Sequence, residues 1–422
     1  MRTCIFLFKS SMFIAFIFFT IGISHLFFAT EEHPLLADRL DHDARLLKRP
    51  HWWWREQAER LYRPYMPGRY GQKNSIANEV VARSALTAFL LPSGFITYSL
   101  NKMGSIPYYL SLRLKKTPYT KYQGGLPEKM HQQQEGFSLL SWNITFLPGE
   151  LASLYGGVRK PIERVDEIAS FIINSNADVV CLYEAHDRSA VFSLFRALKK
   201  HYAHFYFDIQ PSLCIHNSGL FIASKFKIAD IDTCAFDLEG RQEGIKKGFF
   251  SFSLKDTNGV FGRIAATHLQ PYKGQDDEKI RQQELTIVTQ SLAPYEKEES
   301  AYPIILCGDL NIAWGSDEYK HSSLQSNFED AYTQNLAGID ETSRTATDYF
   351  TDDRWDALAE NPHDPQKTPS YFEILDYIVL SKKSAKKWLI DTRRLKAFET
   401  DKPERALSDH HALYAKIKSK AR

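Results

Sequence analysis

The stretch "AYPIILCGDLNIAW", residues 301–314, decides the fold. Ile304, Ile305 and Leu306 make an apolar run suited to a buried strand, and Asp309 and Asn311 stand where that strand emerges. An Asp beside a glycine is by itself a turn residue, since short polar side chains bond their own backbone and glycine tolerates unusual dihedrals. Whether Asp309 is a turn or a site depends on how the other strands end.

They end the same way. "FSLLSWNITFLP" closes an apolar run on Asn143, "DVVCLYEAHD" on Glu184 and "GRIAATHLQP" on His268. "FEILDYIVL" carries Asp376 inside a strand, and "ALSDHHALYAKI" places Asp409 and His410 just before the last one. Taken singly, each has an ordinary account as a cap, a turn or a paired core acid. Acid, amide and imidazole recurring together at strand margins do not share that account.

Outward from this stretch, strands are predicted over residues 137–144, 178–184, 204–209, 218–226, 247–254, 261–269, 303–310, 373–380 and 412–417. Helices fall between several of them. Ile162, Val165, Ile168, Ala169 and Ile172 recur at helical spacing over 161–174, and Ile280, Leu285, Val288 and Leu292 do so over 277–293. Buried strands with intervening helices define an α/β layered domain, placed here at residues 136–418.

The chain has 422 residues, of which 43% are hydrophobic and 25% charged, enough for a sizeable core. Its net charge of +2 lacks the clustered basic surface of a nucleic-acid-binding domain, so no nucleic acid is expected as partner. Five cysteines without a CxxC pair exclude a disulfide framework and a zinc site of that kind. Cys181 and Cys307 lie in apolar runs, where a thiol acts as a small hydrophobe. Oligomeric state is not readable.

The N-terminus differs in character. Residues 10–30 carry no formal charge and follow Arg2 and Lys9. Their length approaches one bilayer crossing, and the flanking charge leaves the N-terminus cytoplasmic. Two readings stand: a single signal anchor, giving a membrane-associated protein, or a cleaved signal peptide, giving a secreted one. Residues 31–135 then form a membrane-associated region and linker, with a tryptophan cluster at 52–54. Within it, residues 84–101 form a second uncharged run that Pro92-Ser93-Gly94 is expected to split into the arms of a hairpin, lying in the lipid interface or buried in a core. Residues 121–136, rich in Gly, Pro and Gln, read as the linker.

The strand-end residues suit metal-assisted phosphoester hydrolysis. Carboxylate and carbonyl oxygens are hard ligands fit for Mg²⁺. Neutral imidazole accepts a proton from water near pH 7, and a carboxylate behind it fixes the tautomer. No GxxxxGK[ST] phosphate loop is present, so ATP chemistry is not indicated.

In this order, Asn143, Glu184, His268, Gly308-Asp309-Leu310-Asn311, Asp376-Tyr377 and Ser408-Asp409-His410 resemble the motif series of the endonuclease/exonuclease/phosphatase superfamily. "NITFLPGE", "YGGVRKPIERVDEI", "NSGLFIASKFKI" and "IKKGFFSFSL" are similar to segments of its neutral sphingomyelinase branch. There are two departures. Tyr183 stands where the family has Gln before the metal-binding Glu. Gln242, with Glu243 beside it, stands where the membrane-bound branch has an Asp paired to the loop lysine, which weakens the case for a lipid-driven switch at Lys247.

The resemblance implies a four-layer sandwich of two mixed β-sheets flanked by helices, with the site where strand ends converge. It implies Glu184 as principal Mg²⁺ ligand (Mn²⁺ can substitute), with Asn143 nearby and Asp409 binding metal directly or through water. His410 is implied as general base, oriented by Asp376, with Asp309 and Asn311 holding the water and the phosphoryl group. His268 would donate to the phosphoryl or leaving oxygen, and Lys247 and Asn217 would contact phosphate. The expected substrate is a phospholipid in a bilayer, sphingomyelin, giving ceramide and phosphocholine. Two alternatives stand: a nuclease or inositol phosphate phosphatase of the same superfamily, and a non-catalytic membrane adaptor.

Overall fold

The computed structural model describes residues 76–114, 117–129, 136–148, 158–211, 216–238, 245–272, 274–296, 302–334, 374–399 and 406–420, with isolated positions between 40 and 54. The segment 10–30, Cys4, Cys214, Gln242 and Glu243 lie outside the described residues. Two compact units divide the chain, residues 1–118 with 356–360, and residues 119–355 with 361–422.

In the first unit α1 (Ile76–Met103) is one helix that runs through Pro92, and α2 (Ser105–Leu114) follows it. The hairpin expected to split at Pro92-Ser93-Gly94 is therefore not formed there. A proline inside a helix removes a single N–H and with it a single intrahelical hydrogen bond. Ser93 Oγ donates to the Leu90 carbonyl at 3.0 Å, and Trp54 Nε1 donates to Ser93 Oγ at 2.9 Å. The break comes instead at Gly104, between the two helices. Among the described residues, no helix is long and apolar enough to cross a membrane. Leu91, Phe95 and Tyr98, spaced along one face of α1, are exposed, as are Ile106 and Leu110 on α2.

The second unit is built from two mixed sheets. A seven-stranded sheet has the order β1-β4-β5-β3-β2-β13-β12, and a six-stranded sheet the order β10-β11-β9-β8-β7-β6. The strands are β1 (Thr120–Gln123), β2 (Phe137–Phe146), β3 (Val179–Ala185), β4 (His204–Phe207), β5 (Phe221–Ser224), β6 (Lys227–Ala235), β7 (Gly248–Asp256), β8 (Gly259–His268), β9 (Ile304–Asp309), β10 (Phe328–Glu329), β11 (Asp376–Ser381), β12 (Trp388–Leu395) and β13 (Ala412–Ser419). All nine strands read from the sequence are present. Residues 121–123, assigned from composition to the linker, belong to β1, which pairs antiparallel with β4.

Among the described residues, three helices longer than two turns flank the sheets: α3 (Pro161–Ser175), α4 (Arg188–Leu198) and α5 (Gln275–Leu292). Val165, Ile168 and Ile172 of α3 and Leu194 and Leu198 of α4 pack with Leu140, Trp142, Val180 and Leu182 of the seven-stranded sheet. Leu285, Val288 and Leu292 of α5 belong to the second cluster, which holds Leu139, Cys181 and Tyr183 together with Phe250, Ile264 and Leu306. Burying one such side chain stabilises by about 1.5–3 kcal/mol. Cys181 and Cys307 are buried free thiols, as their apolar settings predicted.

Each sheet contains one parallel pair, β2 with β3 and β8 with β9. Parallel neighbours end at the same edge. Asn143 and Glu184 thus leave the first sheet together, and His268 and Asp309, direct register partners, leave the second. Asp376, the first residue of antiparallel β11, pairs with Asp309 and starts where β9 stops. Ser408–His410 precede β13, which lies next to β2.

Candidate active site

Asp309 Oδ2 is the hub of the converged strand ends. Asn143 Nδ2 donates to it at 2.9 Å across the two sheets, His268 Nε2 lies at 3.5 Å and His410 Nε2 at 3.7 Å. On its far side the His410 ring bonds Asp376, with Nδ1 and Oδ2 2.8 Å apart. That contact assigns the Nδ1 proton to the Asp376 side and leaves Nε2 facing Asp309.

Burial makes these charges act strongly. It penalises the His410 imidazolium, but Asp376, Asp309 and Asp409 outweigh it and hold the His410 pKa well above the ordinary histidine value. Burial also penalises the Asp309 carboxylate, yet His410, His268 and the Asn143 hydrogen bond keep its pKa below the usual range. For His268 burial and the Lys247 ammonium win over Asp309, so its ring is neutral at pH 7.

Glu184 reaches the site through a break in strand alternation. Leu182 packs in the helix-side cluster and Tyr183 between the sheets, so regular alternation would send residue 184 toward the helices. Glu184 instead adopts φ 58°, in the left-handed region. Its carboxyl feels Asp409, His410, Lys247 and Asp309, which places it among the strand ends. Burial, then the like charge of Asp409, push its pKa up to about 7. The turn exists because residue 219 is glycine. A Cβ there would lie 2.5 Å from His186 Cε1 and 3.1 Å from Glu184 Cα.

A strained acid facing a second acid, with hard oxygen donors around it, is the donor set a divalent cation satisfies. Glu184, Asp409 and Asn143 Oδ1 fit that role, Asn143 Oδ1 also accepting the Thr145 amide at 3.1 Å and Asp409 Oδ1 the Thr145 hydroxyl. Asp309, Asp376 and His410 also bring one ligand atom each within 4.8 Å of one another. There, however, the His410–Asp376 hydrogen bond already uses the facing atoms.

Other predicted residues are committed to the frame. Asn311, at φ 53°, donates Nδ2 to the Leu269 carbonyl at 3.1 Å. Lys247 is buried and donates Nζ to the same carbonyl at 2.7 Å. Burial pulls its pKa down to about 8 against the pull of Glu284, Glu184 and Asp309. Asn217 gives Nδ2 to Asp208 at 2.7 Å and accepts from the Gly219 amide at 2.9 Å, so it braces the turn under Glu184. Tyr183, in place of the family glutamine, bonds Ser141 Oγ at 2.9 Å between the sheets.

Sequence reasoning missed the residues that hold the loops. Arg164 of α3 is fully buried and donates to the carbonyls of Arg159 (2.6 Å), Ile144 (2.9 Å), Thr145 (2.6 Å) and Leu407. Thr145, at φ 49°, carries its Oγ1 to Asp409 Oδ1, and Ser408 Oγ donates to the Asn143 carbonyl at 2.6 Å. Glu284 of α5 accepts the Gln270 amide at 2.7 Å, just after His268. The available signal was a charged residue on an apolar helix face: Arg164 four before Ile168, and Glu284 four before Val288.

The Endonuclease/Exonuclease/phosphatase family model matches residues 140–410, and the chain belongs to that family. Its fold is a phosphoesterase fold. No curated protein sequence matches the chain. Among solved structures it is similar to beta toxin from Staphylococcus aureus (21% identity, 66% of this chain and 99% of that one, TM-score 0.49). Sphingomyelinase C from Streptomyces griseocarneus is 20% identical over 67% of this chain and 99% of that one, with TM-score 0.45. Truncated Caenorhabditis elegans TDP2 is 19% identical over 67% and 97%, with TM-score 0.46.

Proposed function

We propose that the protein is a divalent-metal-dependent phosphodiesterase of the neutral sphingomyelinase type, hydrolysing sphingomyelin to ceramide and phosphocholine at a membrane surface. The observation that carries the reading is the alignment of Asp376, His410 and Asp309, an oriented base opening onto a carboxylate hub. In its neutral form, reached above its raised pKa or when a bound cation offsets the neighbouring carboxylates, His410 Nε2 takes a proton from a water held by Asp309, and Asp376 stabilises the imidazolium formed. The water oxygen bonds to phosphorus as the bond to the ceramide oxygen breaks; the departing alkoxide takes a proton from solvent to give ceramide, and the proton on His410 returns to solvent. His268, neutral through burial, donates a hydrogen bond to the phosphoryl group. Mg²⁺, when held by Glu184, Asp409 and Asn143, supplies Lewis-acid stabilisation of the phosphoryl and leaving oxygens.

The lipid part of the reading rests on other residues. Lys247 next to the strand ends matches the branch resemblance. The exposed stripe of Leu91, Phe95 and Tyr98, with Lys102 in the last turn of the same helix, is the chemistry that meets a bilayer.

The test is lipid mass spectrometry after incubation with mixed liposomes, comparing wild type with His410→Ala, each with Mg²⁺ or EDTA. Ceramide and phosphocholine are expected only from wild type with Mg²⁺. Plasmid nicking or inositol phosphate turnover without phosphocholine release would move the protein to another activity of its family.

A further inference from the structure

The strands that carry Asn143 and Glu184 at one end carry Ser138 and Asp178 at the other. Beside that second end lies a cavity of about 550 Å³. Lys129, Lys200, Lys225 and His201 contribute its polar wall, Ile173 and Tyr202 part of its apolar wall, and none of its lining residues is acidic.

Charge in this cavity is out of balance. The carboxylate that Lys129 and Lys225 reach, Asp178, is buried and heavily used, and Glu128 of the neighbouring segment is paired with His204 Nε2 at 2.9 Å. Asp178 accepts the Ser138 amide at 3.0 Å, Ser138 Oγ at 2.9 Å and Lys129 Nζ at 2.8 Å, with Lys225 Nζ at 3.6 Å. Lys225 also donates to Asn176, to its carbonyl at 3.1 Å and to Oδ1 at 2.8 Å, which answers part of the negative end of α3. Even so, burial and the neighbouring Lys129 ammonium lower the Lys225 pKa against the pull of Asp178. Two ammonium groups, those of Lys129 and Lys225, face one carboxylate, and Lys200 and His201 add further basic groups to the lining.

One wall is a strap. Residues 124–129 follow β1 and dock through three backbone hydrogen bonds, Gly124 N to Ala203 O at 2.7 Å, Gly125 N to Lys199 O at 2.6 Å and Lys129 N to Lys225 O at 2.8 Å. Only glycine fits at 124, where a Cβ would lie 1.9 Å from the Tyr202 carbonyl oxygen. The strap adds Leu126 and Pro127 to the wall.

The geometry points to a second, non-catalytic site in this cavity for a phosphate-bearing anion with a compact organic part, such as a phosphate monoester or the headgroup of an acidic lipid. The volume suits a small ligand, the lysines suit the phosphate, and Leu126, Pro127 and Ile173 suit the organic part. An occupant would pin the strap to the ends of α3 and α4. The inference does not depend on the catalytic reading.

The test uses the full chain in EDTA and a chloride buffer. Glycerol 3-phosphate is titrated calorimetrically, and vesicles of phosphatidylcholine with or without phosphatidate are tested by flotation. Lys200→Glu is compared with wild type and with Lys255→Glu, an exposed control on the other sheet. Saturable binding in at least one arm, weakened about tenfold or more by Lys200→Glu and unchanged by Lys255→Glu, is expected. Binding of glycerol 3-phosphate assigns a soluble ester, and binding of phosphatidate vesicles alone assigns a lipid headgroup. Absence of saturable binding in both arms, or binding that Lys200→Glu leaves intact, overturns the site.

Discussion

His410 Nδ1 and Asp376 Oδ2 are 2.8 Å apart although the two residues come from different sheets. Asp376 begins β11 of the six-stranded sheet, and His410 sits just ahead of β13 of the seven-stranded one. The base and its orienting acid are therefore brought together by sheet packing. Correct closure of the sandwich and assembly of the acid–base pair are the same event.

Replacing Asp376 with Asn tests that pair. The amide keeps the shape but removes the charge that favours the imidazolium and fixes the Nδ1 proton. A loss of about 10²–10⁴ in kcat is expected, by analogy with other carboxylate–histidine pairs. KM for liposomal substrate should change little. The double variant with His410→Ala should be no slower than His410→Ala alone, since the two act as a unit. Additive losses in steady-state kinetics would separate them.

The Glu184 carboxyl gives a prediction about pH. Its pKa is raised to about 7 in the fold by burial and by Asp409. The folded protein without metal thus holds a proton that the unfolded chain releases at lower pH. Stability from this group is complete below the ordinary carboxyl pKa and declines as pH rises through about 7. In EDTA, Glu184→Gln should match wild type at pH 4 and exceed it at pH 8, by at most about 3 kcal/mol. Mg²⁺ should raise the Tm of wild type at pH 8 and leave the variant unmoved. Equal pH profiles of thermal denaturation for the two proteins would remove Glu184 from the buried acid cluster.

What the sequence showed and what it hid divide along burial. The nine strands it revealed are mostly continuous apolar runs such as Ile304–Asp309, buried along their whole length. The four it hid, β1, β6, β10 and β12, are the four sheet edges. Edge strands face solvent on one side and carry charge, as in "KIADIDTCA" and "WLIDTRRL", so they lack the apolar run that announces a strand. The site divides similarly. Asn143, Glu184, His268, Asp309 and His410 were legible because polar chemistry at the end of an apolar run stands out. Arg164 and Glu284 were not, because a charge within a helix reads as a solvated face until the packing partner is known. Where α1 continues through Pro92, Ser93 accepts from Trp54, a contact between residues 39 apart that a local reading of the sequence does not contain.

Gly219 should tolerate no side chain. Its φ of +70° and the 2.5 Å approach of an added Cβ to His186 Cε1 both oppose alanine. The Gly219 carbonyl accepts from Ala185, so strain there passes directly to the residue after Glu184. Gly219→Ala is expected to cost about 2–4 kcal/mol and to weaken Mg²⁺ binding beyond what the fall in Tm explains. A variant with wild-type Tm and wild-type Mg²⁺ titration would show that the turn under Glu184 is not constrained.

Arg164 holds the opposite flank of the site. One guanidinium spans the Ile144 and Thr145 carbonyls at the β2 bulge and the Leu407 carbonyl ahead of His410. Both segments carry site residues, Asn143 and Thr145 on one and Asp409 and His410 on the other. Lysine offers a single charged centre in place of the planar fork and cannot meet all of these acceptors. Arg164→Lys is therefore expected to destabilise by about 1–3 kcal/mol through carbonyls left without donors. Arg164→Met removes the charge as well and should cost more. A structural role alone would lower Tm and leave the active fraction unchanged. If the guanidinium also sets the spacing between Asp409 and Asn143, kcat of the folded Arg164→Lys protein at 10 °C should fall about tenfold or more while the His410-dependent limb of its pH profile shifts. Wild-type kcat and an unshifted profile in that folded variant would confine Arg164 to holding the fold together.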